Sequence, residues 1–238
     1  MPRIIDLSQE IFHEAPSLPP FPPVQVFPHI THEEVDGKPD ASSDSAIVNT
    51  LILHDHCATH VDAFSHFHYA PQGREDTIDT MPLEMFYTPG ICVNVNNYAA
   101  GDLIGVDDIE AALSSDGLEI RPNDTVLFHT GHYNRCFGTE AFMQSWPGLA
   151  AEVVPMLAER KAAAFGVESP APGIMDVSNA DLHRLCGELR ITHYENLANL
   201  EQLVGQGRFR FIAFPLKIRR GAGSPVRAVA VFDEEPVA

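Results

Sequence analysis

Several things are scarce in this 238-residue chain. No apolar run approaches twenty residues, so no membrane-spanning helix is expected. Basic residues are few: 15 Lys and Arg stand against 33 Asp and Glu, a formal charge of −18. That balance argues against nucleic acid, whose phosphates need a basic patch, and against an anionic membrane surface. The four cysteines, Cys57, Cys92, Cys136 and Cys186, are scattered and form neither a CxxC clip nor a dense disulfide framework. The N-terminal Met-Pro-Arg-Ile-Ile-Asp-Leu-Ser lacks the shape of a signal peptide. A reduced, cytoplasmic protein is expected. There is no GxGxxG, no P-loop and no GxSxG elbow. Ser65 lacks a local acylation signature, which discounts a serine hydrolase.

What the chain does have is histidine in one place. Five of its twelve histidines fall between His54 and His68, with Asp55 and Asp62 among them. Imidazole and carboxylate are the ligands of zinc, manganese and iron(II). His54, His56, His60, Asp62, His66 and His68 are all even-numbered, so a fully extended strand would put them on one face. It would also hold His56 and Asp62 about 20 Å apart, whereas ligands sit about 2 Å from their ion. The segment must therefore bend: a strand or loop carrying His54 and His56, then a turn, then a short helix. A helical piece would stack His56 over His60, or Asp62 over His66. A surface His-rich loop is disfavoured, because 47–53 and 58–64 are too apolar for solvent. Cys57, inside the cluster, is read as a small buried filler rather than a soft ligand.

With 45% apolar and 20% charged residues, the chain can bury a sizeable core. Strands are expected at 3–7, 46–53, 91–95, 124–130, 162–167, 189–194, 209–215 and 226–233. Helices are expected at 106–114, 149–159, 179–186 (capped by Ser178 and ended by Gly187) and 195–203. Six prolines between residues 15 and 28 make that stretch an extended loop or edge. Loops are also expected at 32–45 and 71–90. Strands and helices alternate without repeats or an evident linker, which points to one α/β domain over residues 1–238.

Three further features carry chemistry. His183 sits in a helix, and Glu195 follows at a strand-to-helix junction. Together they can supply a nitrogen and a carboxylate to a second metal, although either alone reads as structural. His129-Thr130-Gly131-His132 closes a buried strand, a common location for site residues in α/β sheets.

The run His56-Cys-Ala-Thr-His60-Val-Asp62-Ala-Phe-Ser-His66 resembles the HxGTHxDxPxH signature of the cyclase family of metal-dependent hydrolases, which includes bacterial kynurenine formamidase and isatin hydrolase. The opening Ile-Asp-Leu-Ser, the His129-Thr130-Gly131 strand end and the stretch from Phe165-Gly-Val-Glu168 through His183 to Glu195 resemble its other blocks. The resemblance implies a swivelling β/β/α fold and assembly as homodimers or homotetramers. It implies one or two zinc or manganese ions. His56, His60 and Asp62 would hold the first, and Asp62 would bridge to a second completed by His183 and Glu195. His66 would be the acid/base. Phe21, Phe64 and His129 are candidates for contact with a small-molecule substrate. The expected activity is hydrolysis of an amide, cyclic amide or imide, or lactone, by metal-activated water. The alternative is a non-catalytic metal or small-ligand binding protein on the same fold. The chain departs from the signature at Ala58, where Gly is usual, and at Phe64, where Pro is usual. Leu18-Pro-Pro-Phe21 replaces an early Trp-Pro-Gly-like element, and Glu168 replaces a common Asp.

Overall fold

The computed structural model describes residues 1–31, 47–67 and 76–232. The loop expected at 32–45, His68, and the tips of three expected elements (Ala46, 71–75 and Asp233) lie outside the described residues. Among the described residues the strands, in chain order, are β1 (Arg3–Asp6), β2 (Gln25–Ile30), β3 (Val48–Ile52), β4 (His60–Asp62), β5 (Tyr87–Asn94), β6 (Leu103–Ile104), β7 (Thr125–His129), β8 (Gly148–Leu149), β9 (Ala164–Val167), β10 (Thr192–Glu195), β11 (Phe209–Ile212), β12 (Gly223–Pro225) and β13 (Val229–Phe232). The α-helices are α1 (Val106–Asp116), α2 (His132–Cys136), α3 (Val153–Glu159) and α4 (Asn179–Leu189).

Nine strands join in one curled sheet, in the order β1-β13-β11-β5-β7-β9-β10-β4-β12. The centre, β5-β7-β9-β10, is parallel, and the flanks are antiparallel. Parallel strands are covered on both faces and read as continuous apolar runs. β7 and β9 do so, with every residue buried. One large core cluster runs from Ile5 to Ala230 and includes Phe86, Phe128, Phe165, Tyr194 and Phe211. This is the mixed α/β, swivelling β/β/α architecture expected from the sequence. No helix among the described residues is long and apolar enough to cross a membrane.

Two expectations are corrected. The helix expected at 195–203 is not formed: Glu195 ends β10, and only a 3-10 turn at Leu200–Leu203 follows. Asn196 and Asn199 instead take left-handed backbone, at φ 56° and 59°, which interrupts any helix between them. The second correction concerns α4, which runs through Gly187 to Leu189 and ends where Arg190 turns left-handed. Gly187 is buried inside the helix and does not terminate it. Ser178 does precede α4, but its hydroxyl makes no capping bond. It donates to the Leu149 carbonyl and accepts from the Ile174 amide.

Candidate metal centre

The bend demanded by the histidine spacing is real, but no α-helix makes it. Residues 55–59 form a turn, β4 carries His60 and Asp62, and Phe64–His66 is a single 3-10 turn. Ala58 holds the turn at φ 50°, a left-handed conformation in which an L side chain is strained. Asp62 and His66 still meet, with His66 Nε2 3.6 Å from Asp62 Oδ2.

Strand pairing brings the distant residues in. β4 and β10 are antiparallel, with Glu195 opposite His60 and Tyr194 opposite Val61. Side chains directly opposite point to one face and lie about 5 Å apart. Continuing the register puts His193 opposite Asp62. On the other side of β4, Gly223 of β12 pairs with Asp62. A Cβ there would stand 2.8 Å from the His56 ring and 2.9 Å from the Val61 carbonyl, so the absent side chain is what leaves room for His56.

Asp62 is the hub and is buried. His56 Nδ1 lies 2.8 Å from Oδ1, and His193 Nε2 lies 3.1 Å from Oδ2. His60 Nε2 and His183 Nε2 approach within 3.6 and 3.9 Å. Glu195 lies 3.2 Å from His60 and 3.1 Å from His193. Burial works against ionising Asp62, but the charge of His193 and hydrogen bonds from His193 and His56 hold its carboxyl well below the usual range. Burial also opposes ionisation of Glu195, and the His193 and His60 imidazoles against it outweigh that opposition and keep its carboxyl below the usual range. Burial, with His56 and His183 nearby, keeps the His66 imidazole below its ordinary pKa against the pull of Asp62.

The donor set fits a divalent ion. Two groups place their ligand atoms within 4.8 Å of one another: Asp62, His183, His193 and Glu195, and His56, Asp62 and His66. Among the described residues, the ion-pair partners of the buried Asp62 and Glu195 carboxylates are all histidines. Buried carboxylates need a cation or a metal. His60 Nε2 is buried with no well-aligned hydrogen bond, despite its closeness to Glu195. Its Nδ1 donates to the Ala58 carbonyl, and His183 Nδ1 donates to the Asn179 carbonyl, each at 2.9 Å. A carbonyl only accepts, so both rings turn an Nε2 lone pair toward the cluster.

All five residues expected as ligands are thus gathered, together with His66. The group nearest His56 contains His66, while His60 stands between the two groups. His193 was missed. Its signal was its place two residues before Glu195, on the same face of a strand. Cys57 packs with Ala15 and Val24 in a small apolar cluster, and burial pushes its thiol up to about 11.

The centre forms the floor of a cavity of about 240 Å³. Its walls include Pro16, Pro19, Phe21, Met143, Pro170 and Met175. Phe21 stacks on His54, with ring centroids 4.9 Å apart. Phe64 and His129 do not line this cavity. Phe64 is buried in the core under the Arg190 guanidinium. His129 turns toward the buried Glu168, 3.3 Å away. Glu168 accepts from the Thr130 amide, the Thr130 hydroxyl and the Gly131 amide. It ties the ends of β7 and β9 together.

A histidine–carboxylate centre under an apolar cavity, on a curled α/β sheet, defines a candidate metalloprotein of hydrolase-like design. Residues 5–173 match the family model described as putative cyclase. The kynurenine formamidase of Paracidovorax citrulli is 30% identical over 184 residues, covering 76% of this chain and 78% of that protein. The isatin hydrolase of Roseibium aggregatum is 26% identical over 196 residues, covering 77% and 74%. The solved structure of isatin hydrolase A from Ralstonia solanacearum superposes with a TM-score of 0.84 at 27% identity, covering 98% of this chain and 92% of that one. The chain belongs to the cyclase family.

Proposed function

We propose that the protein is a metal-dependent hydrolase of a small amide, cyclic amide or imide, or lactone. The observation that carries this reading is the convergence of His56, His60, Asp62, His183 and Glu195 on one buried centre beneath an apolar cavity. The family's relatives named isatin hydrolase and kynurenine formamidase support it. The ion is zinc or manganese, with one or two per chain. When bound, such an ion supplies a Lewis acid and a water of lowered pKa.

The chain's own residues do the rest. His56, His60, Asp62, His183 and Glu195 hold the ion. The His66 side chain is partly open to the cavity and lies beside Asp62, and its depressed pKa leaves the ring neutral near pH 7. A neutral imidazole there takes a proton from the attacking water and returns it to the departing nitrogen or oxygen. The apolar walls admit a flat aryl group and exclude bulk water, and Phe21 offers it a stacking face. The partner is a small molecule, met in the cytoplasm by a single-domain chain. The β2–β3 ribbon exposes Phe27, Val48 and Ile52 on one face, an apolar patch that favours a homodimer or homotetramer. Light scattering in solution tests that assembly.

The deciding experiment is a panel of aryl formamides, isatin and small lactones, assayed with and without chelator, alongside metal analysis of protein purified without added metal. Turnover that chelator abolishes and zinc or manganese restores is expected. Less than about a tenth of an equivalent of any transition metal, well under the one ion a catalytic site needs, sinks the reading. Metal without turnover on any member leaves a binding protein.

A further inference from the structure

We infer that His193 is a fourth protein ligand of the Asp62–His183–Glu195 centre. This deepens the metal-hydrolase reading and rests on it. His193 lies on β10 and is fully buried. Its ring is flanked by Phe67 and Phe165, with centroids 5.4 and 5.2 Å away. A polar ring between two phenylalanines is costly unless its nitrogens are used. Nε2 is used twice, at 3.1 Å from Asp62 Oδ2 and 3.1 Å from Glu195 Oε1. These are the two carboxylates that also meet His60.

The separations suit a shared ion. Donors about 2.1 Å from one ion stand roughly 3.0–3.4 Å apart across octahedral or tetrahedral angles. The Nε2 distances of His193 lie in that range, and its ring sits edge-on to His183 at 5.0 Å. Nδ1 faces the Cys186 sulfur at 3.7 Å. With Nε2 on an ion, the Nδ1 proton is donated to that sulfur. The arrangement parallels His60 and His183, whose Nδ1 protons go to carbonyls. Four protein donors fill a tetrahedral shell, as in closed zinc sites. The ion held there would then be retained as a support for Asp62, and the position open to water would belong to the His56 side.

The test titrates metal-free wild-type protein, His193→Ala and His193→Gln with Zn²⁺ against a chromophoric chelator, and with Co²⁺ followed by its visible absorption. Glutamine keeps a hydrogen-bonding amide near the carboxylates but is a poor ligand. Wild type is expected to bind tightly with a tetrahedral cobalt band. Both variants should bind at least about 100-fold more weakly at that centre, the upper end of what losing a supporting group alone costs, and lose the band. Wild-type affinity and an unchanged band in His193→Ala overturn the assignment. So does full rescue by His193→Gln, which makes His193 a hydrogen-bonding positioner. A wild-type protein that binds no ion fails the parent reading instead. Should neither variant fold, the ¹⁵N imidazole spectrum of wild type decides: zinc must move the Nε2 resonance of His193, and an unmoved resonance refutes its ligation.

Discussion

Gly223→Ala is the sharpest perturbation the site offers, because it adds one methyl group where β12 passes His56. The new Cβ would stand 2.8 Å from His56 Cε1, 3.1 Å from His56 Nδ1 and 2.9 Å from the Val61 carbonyl oxygen. Ordinary contact begins near 3.4 Å, so the ring must yield by about 0.6 Å. The backbone oxygen belongs to β4 and cannot swing aside. The His56 ring can, but its Nδ1 then leaves Asp62 Oδ1, now 2.8 Å away. Overpacking of this kind costs about 1–3 kcal/mol, which lowers the melting temperature of a chain this size by roughly 2–12 °C. Displacing a ligand by a fraction of an ångström is expected to weaken metal binding about 10–100-fold and to lower turnover by up to about 10²-fold.

The control is Gly221→Ala, two residues away. The nearest atoms its Cβ would meet belong to the Ile78 and Ile218 side chains, at 2.9 and 3.1 Å, and not to the centre. It should lose stability while keeping metal affinity. Calorimetry gives the stability of both variants, and chelator competition gives the affinity. Equal affinity in Gly223→Ala and wild type refutes the claim that this glycine makes room for His56.

His66→Ala should retain its metal and lose about 10²–10⁴ in turnover. Loss of metal would instead make His66 a ligand, as its closeness to His56 and Asp62 allows. Glu168→Leu leaves the Thr130 and Gly131 amides without their acceptor, at about 1–3 kcal/mol each; a denaturation midpoint equal to wild type refutes that accounting. In native protein at pH 8, Cys57 should resist alkylation, because a thiol titrating at about 11 is ionised only to about one part in a thousand. Partly exposed Cys136 should react first, and mass spectrometry of the modified peptides reads the order.

The central strands were legible because burial on both faces writes itself as an unbroken apolar run. β7 (Thr-Val-Leu-Phe-His) and β9 (Ala-Phe-Gly-Val) needed no context to be recognised. The helix expected after Glu195 was not formed. Residues 195–203 have helical composition, but Asn196 and Asn199 adopt left-handed backbone that tertiary contacts hold: the Asn196 amide donates to the Ser169 carbonyl, and the Asn199 side chain donates to the Asp6 carbonyl. Local propensity has no access to partners so far along the chain. The substrate expectation for His129 met a similar limit. A histidine at a strand end looks available until a buried carboxylate from the neighbouring strand claims it.

The centre itself was half visible, and the reason lies in sheet order. Site residues close together in the chain betray themselves by crowding, as His56, His60, Asp62 and His66 do. Those contributed by β10 do not crowd: Glu195 was legible through its resemblance to a family block, and His193 was not, since nothing local says that β10 will pair with β4. Once that pairing is known, period-two alternation makes His193 follow from Glu195, because both must face Asp62 and His60. The same rule sets the opposite edge, where β12 meets Asp62 with a glycine. One strand of three residues is therefore lined on one side by donors and on the other by a gap, and the His56 ring enters through that gap to reach the same carboxylate.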